Sequence, residues 1–418
     1  MKATRREILA LATIGALGAW PASTETASQL DETSAGSSQA AFDQVWELVR
    51  DRFYDPRLNG LDWQGQRVRF RPDAATARSR EEAAVVINAM LAKLGASHTH
   101  YYTPEDPAYY QLADIFVGAL EHRGLERVFP RGEVSYPGIG VFTEADNQGR
   151  IFVTGVIEGA PAHATGVLLG DEILSADARP FLPVGSFRGK VGSPVSLEIR
   201  RASGVAPIAI RVSPADLRPN EMFLRGLNDS ARLIVTDKAK IGYVHVWSYA
   251  SHRMQSALED LMSDGLLKDA DALVWDLRGG WGGAQPQYLD LFNSRAPTMK
   301  ITGRNGETGF VGVKWRKPVA ALINEGTRSG KEVLAYGFKE YRLGELVGHR
   351  SEGAVLAATA FLIGDDGLLL LAVEDVLVDG QRLEGVGVTP TIEVPFDSRY
   401  AAGGDPQLDR AIQVLARA

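Results

Sequence analysis

Residues 323–339 read INEGTRSGKEVLAYGFK. The stretch opens on the end of an apolar run and closes on a helical pattern. Between them lies a tight turn, Glu325-Gly326-Thr327-Arg328-Ser329-Gly330. A strand that passes through a glycine-bearing turn into a helix is the repeating step of a layered α/β fold. Its serine has two readings. Ser329 is an ordinary helix N-cap on the first. On the second it is a nucleophile, because a constrained bend projects its hydroxyl and the helix start offers unpaired N–H groups where an oxyanion would form. The segment alone does not separate them.

Working outward, the same strand–helix step repeats. KIGYVHVWSY (240–249) reads as a strand, 252–267 as a helix and DALVWDLRGG (271–280) as a buried strand. Residues 284–295 are again helical, PVAALINEG (318–326) is a strand, 329–341 a helix and GELVGHR (344–350) a strand. This alternation predicts a layered α/β domain with a largely parallel sheet. Residues 361–394, with Asp-Gly turns, predict a β-hairpin region, and DPQLDRAIQVLARA (405–418) a closing helix. In such sheets ligands sit beyond the carboxyl ends of strands. The glycine loop DLRGGWGG (276–283) ends the strand before the serine turn. If the two strands are neighbours, Gly282 and Gly283 approach Ser329, and with the Gly330 amide they could form an oxyanion hole. A glycine loop can equally be only a turn.

Upstream the texture changes twice. From Phe42 to Leu94 apolar residues recur at helical spacing (Phe42, Val45, Trp46, Val49, Phe53), Ser79 and Glu82 form a capping box, and Gly95 stops the second helix. From Tyr136 to about Val212 short strands alternate with turn signals. PGIGV (137–141), GAPAHATGVLLGDEILSADARP (159–180) and RGKVGSPVSLEIRR (188–201), in that order, resemble a PDZ domain. The resemblance implies that amides of Gly138, Ile139, Gly140 and Val141 cradle a peptide carboxylate, with the adjacent strand edge pairing with the peptide.

At 418 residues the chain exceeds one core. Its 45% hydrophobic and 23% charged composition is that of a globular protein, and a formal charge of −7 gives no basic face for nucleic acid. The absence of cysteine excludes thiol catalysis, cysteine-ligated metals, disulfides and a lipoprotein anchor. MKATRREILALATIGALGAW (1–20) has a basic start and an apolar run from Ile8 to Trp20, too short to span a bilayer, which predicts a secretory signal. TRREIL resembles a twin-arginine motif; a Sec signal would carry similar charges. The expected division is a signal over 1–27, a linker over 28–40, a helical domain with its connector over 41–135, a PDZ domain over 136–215 and the α/β core over 216–418. The expected location is exported, in the periplasm, with no membrane span after signal removal.

The glycine loop, the serine turn and the PDZ-like segment together resemble the serine peptidase family of the C-terminal processing peptidases and the tricorn core peptidase, over roughly 42–397. The resemblance implies a multidomain α/β (α+β) protein: an N-terminal helical domain, a PDZ-like β-rich domain and a core of the ClpP/crotonase-like type. Processing peptidases pair the serine with a lysine about 25 residues on, but that count lands on Ala354 in HRSEGAVLA (349–357). Lys331 is two residues along the helix, about 200° around, and should point away from Ser329. The tricorn-like style uses Ser, His, Ser and Glu. GASHTHYY (95–102) supplies Ser97 and His98, and RLEGVG (382–387) supplies Glu384. The resemblance thus implies Ser329 as nucleophile, His98 as general base and then acid, and Ser97 and Glu384 as its orienting partners.

Each residue has a plainer reading. His100 could be the base, Ser97 could bond its own loop, and Glu384 could be a turn carboxylate. The other histidines lack metal-ligand spacing, and no phosphate or dinucleotide loop occurs, so neither metal nor cofactor is expected. The expected activity is hydrolysis of peptide bonds in polypeptides, with the PDZ domain binding chain ends or gating the site. The alternatives are an inactive peptide- or ligand-binding protein on the same scaffold and another acyl-transfer hydrolase using the same residues.

Overall fold

The computed structural model describes residues 34–293, 299–304, 306–311 and 314–417. The signal reading and the start of the linker lie outside these residues. The first helix runs Ser34–Arg52, so it begins within the segment read as linker.

The core sheet has six strands, in the spatial order Ile392–Glu393, Glu345–Gly348, Val319–Ile323, Ala272–Asp276, Lys240–His245 and Arg232–Val235. All pairings are parallel except the last, whose edge strand runs antiparallel. Every residue of Ala272–Asp276 and Val319–Ile323 is buried, because helices cover both faces and leave no position for a polar alternate. Leu273, Trp275, Ala321 and Ile323 face Leu334 and Phe338 of the helix Gly330–Glu340. Val274, Ala320 and Leu322 face Ala411 and Leu415 of the closing helix Pro406–Leu415. Sequential strands sit side by side here, so the glycine loop and the serine turn leave neighbouring carboxyl ends.

The N-terminal helices Ser34–Arg52, Trp63–Thr76 and Arg80–Leu91 pack around Phe42, Val45, Val49, Ile87 and Met90. Trp46 and Trp63 stack 6.4 Å apart, each indole N–H donating to the other's carbonyl at 3.0 Å. This unit does not close on itself. Its core continues into Leu369, Leu371 and Ile363 of the hairpin Ala357–Ile363/Gly367–Glu374, whose Leu368, Leu370 and Leu362 face the opposite core. The leucine run GLLLLA is therefore a strand buried on both faces. Strand His100–Tyr102 adds to it, His100 opposite Leu370. That pairing carries the loop 95–99 across to the core.

Within residues 136–217, the strands between Val141 and Val212 form a five-stranded antiparallel sheet with its own core, including Ile139, Val153, Ile173, Phe187 and Leu197. Tyr136–Gly138 pairs with Ala215–Leu217 at its base. Several contacts dock the unit, among them two on opposite sides. Phe142 stacks on Trp247 at 5.5 Å, whose indole N–H donates to Glu158 Oε2 at 2.7 Å. On the far side Tyr400 donates from its amide to Gly170 O at 2.9 Å and from its hydroxyl to Glu172 Oε2 at 2.8 Å.

Candidate active site

Ser329 has φ 57° and ψ −132°, a region that β-carbon-bearing residues rarely occupy. Strain of about 1–3 kcal/mol is held there by the surroundings. Its amide donates to Ala354 O at 2.8 Å and to Glu332 Oε2 at 3.3 Å. Glu332 is fully buried and accepts three further bonds: Ser351 Oγ at 2.6 Å, Gly353 N at 2.7 Å and Ala354 N at 2.7 Å. Burial pushes its carboxyl upward in pKa, against these donors. The spacing Ser329-Gly-Lys-Glu332 is that of a capping box, the signal that could have singled out Glu332 in the sequence.

The glycine loop lies against the serine. A β-carbon on Gly282 would meet Ser329 Cβ at 2.4 Å and Gly330 N at 2.8 Å, so only glycine fits there. Gly283 has φ +89° and packs on Tyr249 and Ala250, and the Gly282 carbonyl accepts from Tyr249 N at 2.8 Å. The two loops are stitched beneath. Asn324 Oδ1 accepts from Gly279 N and Gly326 N, both at 3.1 Å, and Thr327 Oγ1 donates to Leu277 O at 3.1 Å.

Lys331 is fully buried and points away from the serine hydroxyl, its ammonium donating to Gly279 O at 2.8 Å. Burial brings its pKa down to about 7, with Arg328 adding to the effect and Asp276 opposing it. The unfolded chain therefore binds more protons between about pH 7 and the ordinary lysine range, and stability rises with pH across that window, by up to about 1.4 kcal/mol per unit. The Tm of the protein minus that of Lys331→Met should climb from about pH 7 to pH 9. A flat difference would contradict a buried lysine titrating there.

On the other side of segment 354–356 an unbroken chain of bonds forms. Glu384 Oε2 accepts from Ser97 Oγ and from Val355 N, both at 2.8 Å, and Oε1 accepts from Ser97 N at 2.9 Å. Ser97 Oγ lies 3.0 Å from His98 Nδ1. With the Ser97 hydroxyl donating to Glu384, its oxygen accepts from Nδ1–H, which leaves the Nε2 lone pair free. His98 sits at φ 50°, in the left-handed region. Burial and the nearby Arg328 push its pKa down to about 4, with Glu384 opposing. His100 stands two residues on with its ring 4.6 Å from Tyr102, and burial lowers its pKa too. The carboxylate relay ends on His98 and not on His100. Among the described residues no hydrogen bond joins Ser329 Oγ to His98, although both flank the segment 354–356.

Of the peptide-cradle residues, Ile139 is buried in the middle sheet's core, Gly140 has φ +76°, and Val141 begins an edge strand. A groove lined by Pro161, Ala164, Leu217, Met222 and Arg225 lies at the edge of this unit and includes none of the four candidate catalytic residues. Among the described residues no cluster of three or more His, Asp or Glu could hold a metal, and no helix is long and apolar enough to cross a membrane.

Residues 240–394 match peptidase family S41, and residues 37–92 match the tricorn protease C1 domain. Over these stretches, 155 and 56 of the 418 residues, the chain is similar to that peptidase family and to that domain, as expected of a serine-type peptidase. It is 27% identical over 91% of its length to a putative tricorn protease homolog of Streptomyces coelicolor, spanning 32% of that protein. It is 24% identical over 84% of its length to carboxyl-terminal-processing peptidase 3 of Arabidopsis thaliana, spanning 67% of that one. The chain thus covers about a third of the first relative and two thirds of the second. Its fold is similar to that of the tricorn protease (TM-score 0.52, 18% identity, 92% of this chain and 37% of the other). It is also similar to the photosystem II D1 C-terminal processing protease (TM-score 0.50, 19% identity, 88% and 98%).

Proposed function

We propose that the chain is an exported serine endopeptidase that hydrolyses polypeptides through Ser329, His98, Ser97 and Glu384. The observation that carries this reading is the continuous Glu384–Ser97–His98 chain, separated only by segment 354–356 from a strained serine turn with Gly282 against its side chain. Ser329 Oγ attacks the scissile carbonyl while His98 Nε2 takes its proton. The charge on the imidazolium is met through Ser97 by Glu384, and His98 returns the proton to the leaving amine. Amides of Gly330, Gly282 and Gly283 receive the oxyanion. The tight packing that only glycine permits at 282 supports that role. We further assign 136–215 as a PDZ domain that binds peptide ends or gates the site, and the core to the ClpP/crotonase-like type. The free edge of strand Val141–Ala145 and the core's layered parallel sheet support these assignments.

A fluorophosphonate probe with mass spectrometry of the labelled peptide tests the reading. Labelling at Ser329 that is lost in His98→Ala and kept in Lys331→Ala is expected; no labelling of folded protein would overturn it. A pH profile is a second check. The lowered pKa keeps His98 neutral, and able to act as base, down to about pH 4. For a neutral peptide the acid limb of kcat/KM should fall near pH 4. A limb near the ordinary histidine value of about 6.5 would contradict this environment.

A further inference from the structure

Arg328 immediately precedes the candidate nucleophile, yet the reaction above gives it nothing to do. Its side chain is 32% exposed and touches Glu352 Oε2 through Nε at 2.8 Å, a charge contact without hydrogen-bond alignment. Its guanidinium lies over the Trp281 ring, 5.3 Å from the centroid. Trp281 directly precedes Gly282. Glu352 directly precedes the amides that hold Glu332 and Glu384. The cation is thus walled by the glycine loop on one side and by segment 352–356 on the other. It is close enough to His98 and Tyr102 to influence both.

Two features of this placement are unusual. A cation beside a general base opposes the imidazolium that forms when the base takes its proton. In addition, Glu352 meets the fork at Nε without hydrogen-bond alignment, whereas a guanidinium's five donors are built for bidentate carboxylates. Among the described residues no hydrogen bond is donated by Arg328 Nη1 or Nη2. Glu352 is itself partly desolvated, and its carboxyl is pushed up by burial even with Arg328 beside it. It is a resting counter-ion that a better-placed carboxylate can displace.

We propose that Arg328 is a substrate-selecting residue that takes a carboxylate of the polypeptide, displacing Glu352. This rests on the peptidase reading. Two sources share that chemistry: an acidic side chain near the scissile bond and the chain's own C-terminal carboxylate. Either one, seated on Arg328, takes over from Glu352 the neutralisation of the positive charge near His98. If Arg328 and Glu352 only tie two loops together, substrate charge is irrelevant to binding.

The test uses the full chain carrying Ser329→Ala, which binds without turnover, and fluorescein-labelled nonapeptide pools. The first pool has a central Glu and an amidated end, the second a central Gln and an amidated end, and the third a central Gln and a free end. Fluorescence anisotropy should show one carboxylate-bearing pool binding about tenfold tighter than the neutral pool, equivalent to about 1.4 kcal/mol. The first pool winning identifies an acidic side chain as the source, and the third identifies the chain end. The preference should collapse towards one in Arg328→Gln, persist in part in Arg328→Lys, and grow in Glu352→Gln. Equal binding of all pools overturns the proposal. So does a preference that survives Arg328→Gln, since the carboxylate would then be read elsewhere, such as in the middle domain. An Arg328-dependent preference in a chain whose Ser329 form cleaves none of the pools would sink the peptidase reading and leave the subsite standing.

Discussion

Ser329→Ala is expected to reduce kcat by about 10⁴-fold or more with the fold intact, and His98→Ala by a comparable factor. On the proposed mechanism the two act as one unit: without the hydroxyl the imidazole has no proton to take, and without the imidazole the hydroxyl is a weak nucleophile at neutral pH. The double variant should therefore be barely worse than either single one. Multiplication of the two losses would mean that they act independently and that another residue is the base. Glu384→Gln should cost less, about 10²-fold, because Ser97 stands between the carboxylate and His98 and can still fix the ring's orientation. Steady-state kinetics on a polypeptide substrate, with circular dichroism to verify folding, reads all four variants.

The largest expected effect on stability falls on Glu332. Its two oxygens accept from Ser351 Oγ, Gly353 N, Ala354 N and Ser329 N, and it is fully buried. Glu332→Gln keeps the shape but turns one oxygen into a donor. Whichever way the amide is turned, at least one backbone N–H is left facing another N–H without water to replace the lost acceptor. That costs about 2–4 kcal/mol, since an orphaned buried donor pays its full desolvation penalty and a charged acceptor has been lost. Denaturant unfolding should show the midpoint falling with the slope unchanged. Activity should drop as well, because Ala354 N and Ala354 O both take part in holding the Ser329 turn in its strained conformation. A variant as stable as the parent would show that the carboxylate is not what holds segment 351–354 against the serine helix.

Much of the local architecture was legible. The apolar run Val319–Ile323 followed by glycine, serine and an amphipathic pattern can hardly be anything but a strand, turn and helix. The helix Gly330–Glu340 begins where the turn ends. The repetition of that step predicted a largely parallel sheet but left open whether 272–276 and 319–323 are neighbours, and the sheet pairs them. The residues 284–295 read as helical form a 3₁₀ helix over Pro286–Phe292, because a proline at the start and a short apolar stretch support only a tight, brief turn of helix. The helical unit from residue 41 looked self-contained, and it is not: its core is completed by leucines more than 270 residues later.

The four catalytic candidates could be named one by one, but their relation could not. Ser97 and Glu384 are 287 residues apart and meet within 2.8 Å. Nothing in either local segment announces the contact, because a hydrogen bond between distant residues leaves no periodic trace. The same is true of Glu332, whose capping-box spacing was visible but three of whose four donors come from a separate loop. Arg328 had no reading of its own in the sequence, and only the fold sets Trp281, Glu352 and His98 around it. Sequence by itself determined the elements, since backbone propensity, turn chemistry and apolar period act over a few residues. It also narrowed the chemistry to hydroxyl, imidazole and carboxylate groups. Tertiary structure added that the hydrogen bonds from Glu384 through Ser97 end on His98, that Lys331 meets the Gly279 carbonyl, and that a cation stands near His98. Those outcomes depend on burial and on charges brought together across the chain, and both exist only once the sheet and the hairpin have packed.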